Sequence, residues 1–250
     1  MSIRLAIGFL TRIPVGRVAD ASLTASAAYF PLVGGLVGVI GLAFWWLGAV
    51  TLGPLAGAVV GVLATVVVTG ALHEDGLADT ADGLWGGATS KRRLAIMRDS
   101  RIGTYGVIAI SGDLLLRIAL LAPIDSDNVV TAARILVVGH VWGLVAPLVL
   151  AATLPPARTD GQGVRLGAPT AAGSAIAAVT VAAVTIGLVG QWAPIVMAAA
   201  AVALTGVWRL ALRRIGGVTG DIHGAGVVVT NLAVAIVVAA LAREGVTWVG

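Results

Sequence analysis

The chain has 250 residues, 58% of them hydrophobic and 11% charged, and no cysteine. Its mean hydropathy of +1.01 excludes an ordinary soluble globular domain, and the lack of cysteine excludes disulfides and thiolate metal sites. The net charge of +4 comes from basic residues dispersed at the ends of apolar runs, a pattern of membrane topology and anionic-lipid contact, so no nucleic-acid partner is expected.

In chain order, residues 1–30 carry Arg4, Arg12 and Arg17. The apolar piece 5–10 is too short for a signal peptide and Thr11-Arg12 interrupts it, so an amphipathic or re-entrant cytoplasmic segment is predicted. Nearly uncharged runs follow at 31–50, 54–72, 104–123, 129–153, 169–189, 191–210 and 225–242. Each approaches the roughly 20 residues that a helix needs to cross about 30 Å of hydrocarbon. Backbone polar groups in lipid must pair within the segment, so the runs are predicted to be helices, and strand-type alternation is missing. The expected fold is an all-α polytopic membrane bundle of about seven spans, one domain over 1–250. Gly34 with Gly38, and Gly53, Gly57 and Gly61, form small-residue ridges for close helix packing. The connections 1–30, 73–103, 154–168 and 209–223 hold thirteen of the sixteen Lys and Arg. The turns near 51–53, 124–128 and 190 hold none, which predicts the basic side to be cytoplasmic.

Four of the twelve acidic residues fall within nine positions, in His73-Glu74-Asp75-Gly76-Leu77-Ala78-Asp79-Thr80-Ala81-Asp82-Gly83. If this stretch is a helix continuing the second span, Asp75, Asp79 and Asp82 sit at about 0°, 40° and −20° on one stripe, with Glu74 on its flank. Like charges so placed repel. Hard oxygen ligands on a stripe suit Mg²⁺ or Mn²⁺ shared with substrate phosphates. Lys91-Arg92-Arg93 reads as positive-inside anchoring. In Arg98-Asp99-Ser100-Arg101-Ile102-Gly103-Thr104-Tyr105-Gly106, two arginine forks, hydroxyls and open backbone at the head of a span suit phosphate oxygens. Asp113 and Arg117 read as a structural pair four residues apart, and His140 as a core residue. Gly216-Gly217-Val218-Thr219-Gly220-Asp221 predicts a tight loop on the same face, with Asp221 able to complete a metal shell. A short echo links Val68-Thr69-Gly70-Ala71-Leu72-His73 with Val218-Thr219-Gly220-Asp221-Ile222-His223. Serine-hydrolase, zinc-protease and P-loop motifs do not occur.

The run from Leu72 to Leu84 and the Arg98–Gly106 segment together resemble the adenosylcobinamide-GDP ribazoletransferase (cobalamin synthase) family. So do Phe9-Leu10-Thr11-Arg12-Ile13-Pro14-Val15, Tyr29-Phe30-Pro31-Leu32-Val33-Gly34 and the Gly216–Asp221 loop, in the family's order. Val228 and Asn231 stand where the family pattern carries acidic residues, and His140 where a basic residue is common. The resemblance implies an inner-membrane transferase with Mg²⁺ as cofactor. It would join adenosylcobinamide-GDP to α-ribazole or its 5′-phosphate and release GMP. Glu74, Asp75, Asp79, Asp82 and Asp221 are the expected metal ligands, with Asp82 and Asp79 as catalytic candidates. Arg98, Asp99, Ser100, Arg101, Gly103, Thr104 and Gly220 are the expected substrate contacts. The partners implied are the two substrates and the bilayer, with homo-oligomerisation left open. Asp79-x-x-Asp82-Gly83 also resembles the acidic signature of CDP-alcohol phosphotransferases, but Leu84-Trp85-Gly86 departs from their next residues. A cation transporter is the rival from another class; its carboxylates usually lie at the bilayer midplane on broken helices.

Overall fold

A computed structural model describes residues 3–16, 22–158 and 166–248. Among these the protein is all helical, apart from one isolated bridge between Pro156 and Val218. The expected connections 1–30 and 154–168 fall partly outside the described residues.

The N-terminal segment forms a short helix, α1 (Ile3–Leu10), which buries Ala6 and Leu10. A single turn α2 (Leu23–Ser26) follows and runs through a 3₁₀ turn into α3 (Phe30–Leu52). The chain reverses at Gly53 (φ 97°) into α4 (Pro54–Thr69). Gly53 therefore belongs to the turn and not to the packing ridge predicted for it. Gly57 and Gly61 do form the ridge: a Cβ at Gly57 would meet the Ala49 backbone nitrogen at 2.6 Å, and one at Gly61 the Trp45 Cβ at 2.6 Å. Gly34 and Gly38 face the fourth apolar run, with the backbone of His140 and of Leu136 and Val137 within reach of a Cβ. Such approaches bring helices close without bulky interdigitation.

The second span does not continue straight into the acidic helix. Gly70 (φ 66°, ψ 34°) and Ala71 (φ 57°, ψ 20°) are both left-handed. They end α4 and start α5 (Leu72–Gly86) at an angle of 87°. Ala71 is the one non-glycine residue at positive φ among the described residues, a conformation that costs an ordinary side chain roughly 1–2 kcal/mol. The Arg12 side chain lies against Gly70 and the Arg12 amide donates to the Val68 carbonyl at 2.7 Å. The N-terminal segment thus braces the outside of the bend.

A short basic helix, α6 (Ser90–Ile96), is capped by the Thr89 hydroxyl, which accepts from the Arg92 amide. Its Arg93 donates to the Arg214 carbonyl at 2.9 Å, at the C-terminal end of a later helix, where cations and donors are favoured. The expected anchoring triplet thus also ties two elements together. After α7 (Thr104–Leu121) the fourth apolar run is broken into α8 (Val129–Ala133), a π-helical turn at Arg134–Val138, α9 (Gly139–Gly143) and α10 (Ala146–Thr153). Arg134 inside this run donates to the Leu188 carbonyl at 2.7 Å and stacks 4.2 Å from the Trp248 ring.

The remaining helices are α11 (Ala171–Val189), α12 (Ala193–Ile215) and α13 (Gly220–Arg243). Gly190, with φ 54° and ψ −127°, interrupts the chain between α11 and α12. Five helical segments among the described residues are long and apolar enough to cross a membrane, or six with the bent α4–α5 pair. The expectation of seven divides the 45-residue stretch Ala171–Ile215 at residue 190. The main core packs Trp45, Val62, Ile135, Leu136, Val138 and Val234 from α3, α4, the π turn and α13.

Candidate active site

α5 crosses the head of α13 at a pair of glycines. A Cβ on Gly76 would stand 2.9 Å from the Asp221 carbonyl oxygen and 3.0 Å from the Gly224 Cα, so only glycine lets the two backbones come this close. Their contact sets Asp75 of α5 beside Asp221 in the first turn of α13. Thr219 caps α13, its hydroxyl accepting from the Ile222 amide at 3.3 Å and donating to Asp221 Oδ2 at 3.2 Å. The Gly216–Val218 loop is held by residues 155–157: the Val218 amide donates to the Pro155 carbonyl and the Ala157 amide to the Val218 carbonyl, both at 2.9 Å. The expected tight loop is thus paired with a neighbouring segment. That pairing delivers Arg158, whose guanidinium contacts Asp221 Oδ2 at 3.3 Å.

These pieces surround a cavity of about 240 Å³ lined by Asp75, Gly76, Arg158, Gly220 and Asp221 on its polar side. Asp79, one turn along α5, is partly buried and stands in the field of the carboxylates of Asp75, Asp221 and Asp82, with Arg158 as the opposing cation. The side chains of Asp75 and Asp79 have no ion pair among the described residues. Mutual repulsion among Asp75, Asp79 and Asp221 is therefore relieved only by Arg158.

The other two acidic residues of the stretch have different partners. Asp82 is buried and takes the Gly103 amide on one oxygen at 2.7 Å and the Gly106 amide on the other at 2.9 Å. It caps α7 from outside, a contact that the roles expected of it did not include. Glu74, expected as a ligand, turns away into the bundle. Its Oε1 accepts from Arg117 at 2.9 Å, and Arg117 also pairs with Asp113. The expected Asp113–Arg117 pair is thus a buried triad that reaches α5. His140 sits beside it, its Nδ1–H donating to the Leu136 carbonyl at 2.7 Å.

The phosphate-type segment lies at the head of α7. Arg101 is 87% exposed on its side chain and folded back on Asp99 at 2.6 Å. Its guanidinium holds the Asp99 carboxyl down at about 2. Arg98, Ser100 and Thr104 are exposed, and Gly103 is used by Asp82. Sequence reasoning missed Arg158, whose only signal was its place in a basic connection, and it missed the inward turn of Glu74.

Among the described residues no group of three or more His, Asp and Glu is arranged to hold a metal ion on its own. Mg²⁺ commonly takes one or two carboxylates and completes its shell with water and substrate phosphates. One or two carboxylates of the oxygen-only set Asp75, Asp79 and Asp221 fit that manner of binding; Glu74 and Asp82 already accept hydrogen bonds from Arg117 and from the α7 head.

The fold and site define a polytopic α-helical membrane protein with carboxylates gathered from two helices at one cavity. The sequence model of the cobalamin-5-phosphate synthase (CobS) family matches residues 2–239, and the chain belongs to that family. It is 41% identical over 228 residues to a Bradyrhizobium diazoefficiens protein (89% of this chain, 87% of the relative). It is 42% identical over 233 residues to one from Azorhizobium caulinodans (88% of each), and 44% identical over 241 residues to one from Xanthobacter autotrophicus (88% of each). All three carry the name adenosylcobinamide-GDP ribazoletransferase. No solved structure matches the chain.

Proposed function

We propose that the chain transfers the adenosylcobinamide phosphoryl group of adenosylcobinamide-GDP to a ribose hydroxyl, other than the 5′ one, of α-ribazole or its 5′-phosphate. In this reaction the phosphoanhydride P–O bond breaks, a phosphodiester P–O bond forms at that ribose oxygen, its proton passes to a carboxylate, and GMP leaves. The observation that carries the reading is the gathering of Asp75, Asp79 and Asp221 from two helices beside Arg158, in a chain of this family. Phosphoryl transfer asks a protein mainly for positioning and charge neutralisation.

Asp75 and Asp221 would hold Mg²⁺, which when bound neutralises charge on the diphosphate and the departing GMP. Arg158 faces the same cavity and would take phosphate oxygens once a cation replaces it at Asp221. Asp79, without an ion-pair partner of its own, would accept the proton of the attacking hydroxyl. Asp82 would act by fixing the α7 head, and Arg98 and Arg101 by drawing the anionic substrate to that head. The basic connections support a cytoplasmic location of the site in an inner membrane.

The test uses the full chain in lipid nanodiscs with adenosylcobinamide-GDP, α-ribazole and Mg²⁺. The wild type should release GMP, chelation should stop it, and Asp79→Asn should lower the rate by about 10²–10⁴, the range typical of a lost general base. Release of no GMP by well-inserted wild type would overturn the assignment. Release of CMP from a CDP-alcohol instead would favour the phospholipid-synthesising relatives.

A further inference from the structure

The cavity beside the carboxylates has a second wall that the proposed chemistry does not use. Its apolar lining includes Leu10, Phe9 and Phe30, and the two phenylalanine rings stack at 6.0 Å and 18°. His73 and His223, both more than nine-tenths buried, also line the cavity. His223 has no hydrogen-bond partner on either ring nitrogen among the described residues, and His73 has none on Nε2. These are the two histidines that end the short sequence echo, brought to one place by the crossing of α5 and α13. Buried polar groups normally find partners, and a buried polar atom left unpaired is costly. Both histidines line a space that also has an aromatic side.

Resting on the proposed reaction, we infer that this cavity is the binding pocket of the acceptor nucleoside, with its apolar base against Phe9, Leu10 and Phe30 and its sugar toward Asp75 and Asp221. At about 240 Å³ it is smaller than the roughly 300–1,000 Å³ typical of drug-sized ligands. A nucleoside is of the right order, whereas a corrin macrocycle is not. A guanine nucleotide is a poor match for the apolar wall, because the edge of guanine bristles with donors and acceptors that Phe9, Leu10 and Phe30 cannot meet. The benzimidazole base of α-ribazole is a flat apolar bicycle with one unsubstituted ring nitrogen, an acceptor only. A single donor suffices for it, and His223 supplies one. The orientation then directs the ribose hydroxyls to the carboxylates, where the diphosphate is attacked. Selectivity for this base follows from the same geometry: a purine would leave its polar edge unpaired against the phenylalanines, a penalty larger than that of a missing methylene.

The measurement is the initial rate of GMP release against α-ribazole concentration at saturating adenosylcobinamide-GDP, with isothermal titration of α-ribazole alone into nanodiscs as an independent readout. His223→Leu and Phe9→Ala should each raise the KM and the Kd for α-ribazole about tenfold or more, the scale of one lost buried hydrogen bond or aromatic contact. Both should leave the KM for adenosylcobinamide-GDP within about twofold. Phe9 is only partly buried, so its variant reports even if His223→Leu fails to fold. Unchanged α-ribazole constants, or a rise confined to adenosylcobinamide-GDP, would overturn the inference. Wild type that releases GMP while neither variant alters α-ribazole binding sinks the pocket alone. Wild type that binds α-ribazole through His223 but releases no GMP sinks the reaction alone.

Discussion

At the scale of single residues, the acidic stretch divides its carboxylates between those with bonded partners and those without. Glu74 and Asp113 share Arg117 inside the bundle, all three nearly excluded from solvent. Removing one partner of such a group leaves an uncompensated buried charge, which typically costs about 3–5 kcal/mol. Arg117→Met should therefore destabilise the protein by about that amount in a reversible unfolding titration, although Arg117 lines no part of the carboxylate cavity. A change under about 1 kcal/mol would show that the triad is solvated. The stripe of Asp75, Asp79 and Asp82 was legible from the 100° period. The partners were not, because a helical wheel gives a direction around an axis and not what stands in that direction. Asp82 meets two backbone amides of the α7 head, while Asp75, nearly on the same meridian, meets a cavity.

At the scale of elements, the site depends on how closely α5 and α13 approach. Gly76 is the contact point, with backbone atoms of Asp221 and Gly224 about where a Cβ would go. Gly76→Ala is expected to push the helices apart and cut GMP release at least tenfold, since misplacement of about 1 Å can cost on the order of 10²-fold. The protein should still insert and purify as a folded species. Full activity of the variant would mean that the crossing tolerates a shift. The sequence offered Gly76 as a place of close approach but no partner for it. It also gave no warning of the bend before α5, because Ala71 carries none of the usual marks of a left-handed residue. That bend turns a predicted extension of the second span into an arm lying 87° away. Without it, Glu74 could not reach Arg117 while Asp82 reaches the head of α7.

At the scale of the whole molecule, the apolar runs anticipated the helices closely. The predicted 129–153 matches Val129–Thr153 and 104–123 matches Thr104–Leu121, while α12 extends to Ile215 and α13 begins at Gly220. Both late helices overrun their hydrophobic runs at the basic, glycine-bearing connection, where caps and not hydropathy set the ends. The number of crossings is a separate matter, decided at residue 190. Reporter fusions after residues 95, 158 and 217 should all report the cytoplasm, and those after 126 and 190 the opposite side. A cytoplasmic signal at 190 would mean that Ala171–Ile215 does not cross twice.

By itself the sequence determined that this is a helical membrane protein and marked the acidic helix, because hydropathy and helical period are local properties of the chain. It also carried the family resemblance. Only the tertiary structure decided which carboxylates have bonded partners and which stand at the cavity. Asp75, Asp79 and Asp221 face one another across the crossing of α5 and α13, Arg158 arrives on a paired segment, and Glu74 and Asp82 are held by other groups. That choice follows from one bend and one glycine contact between elements far apart in sequence. Their geometry comes from packing across the fold, which no local pattern encodes.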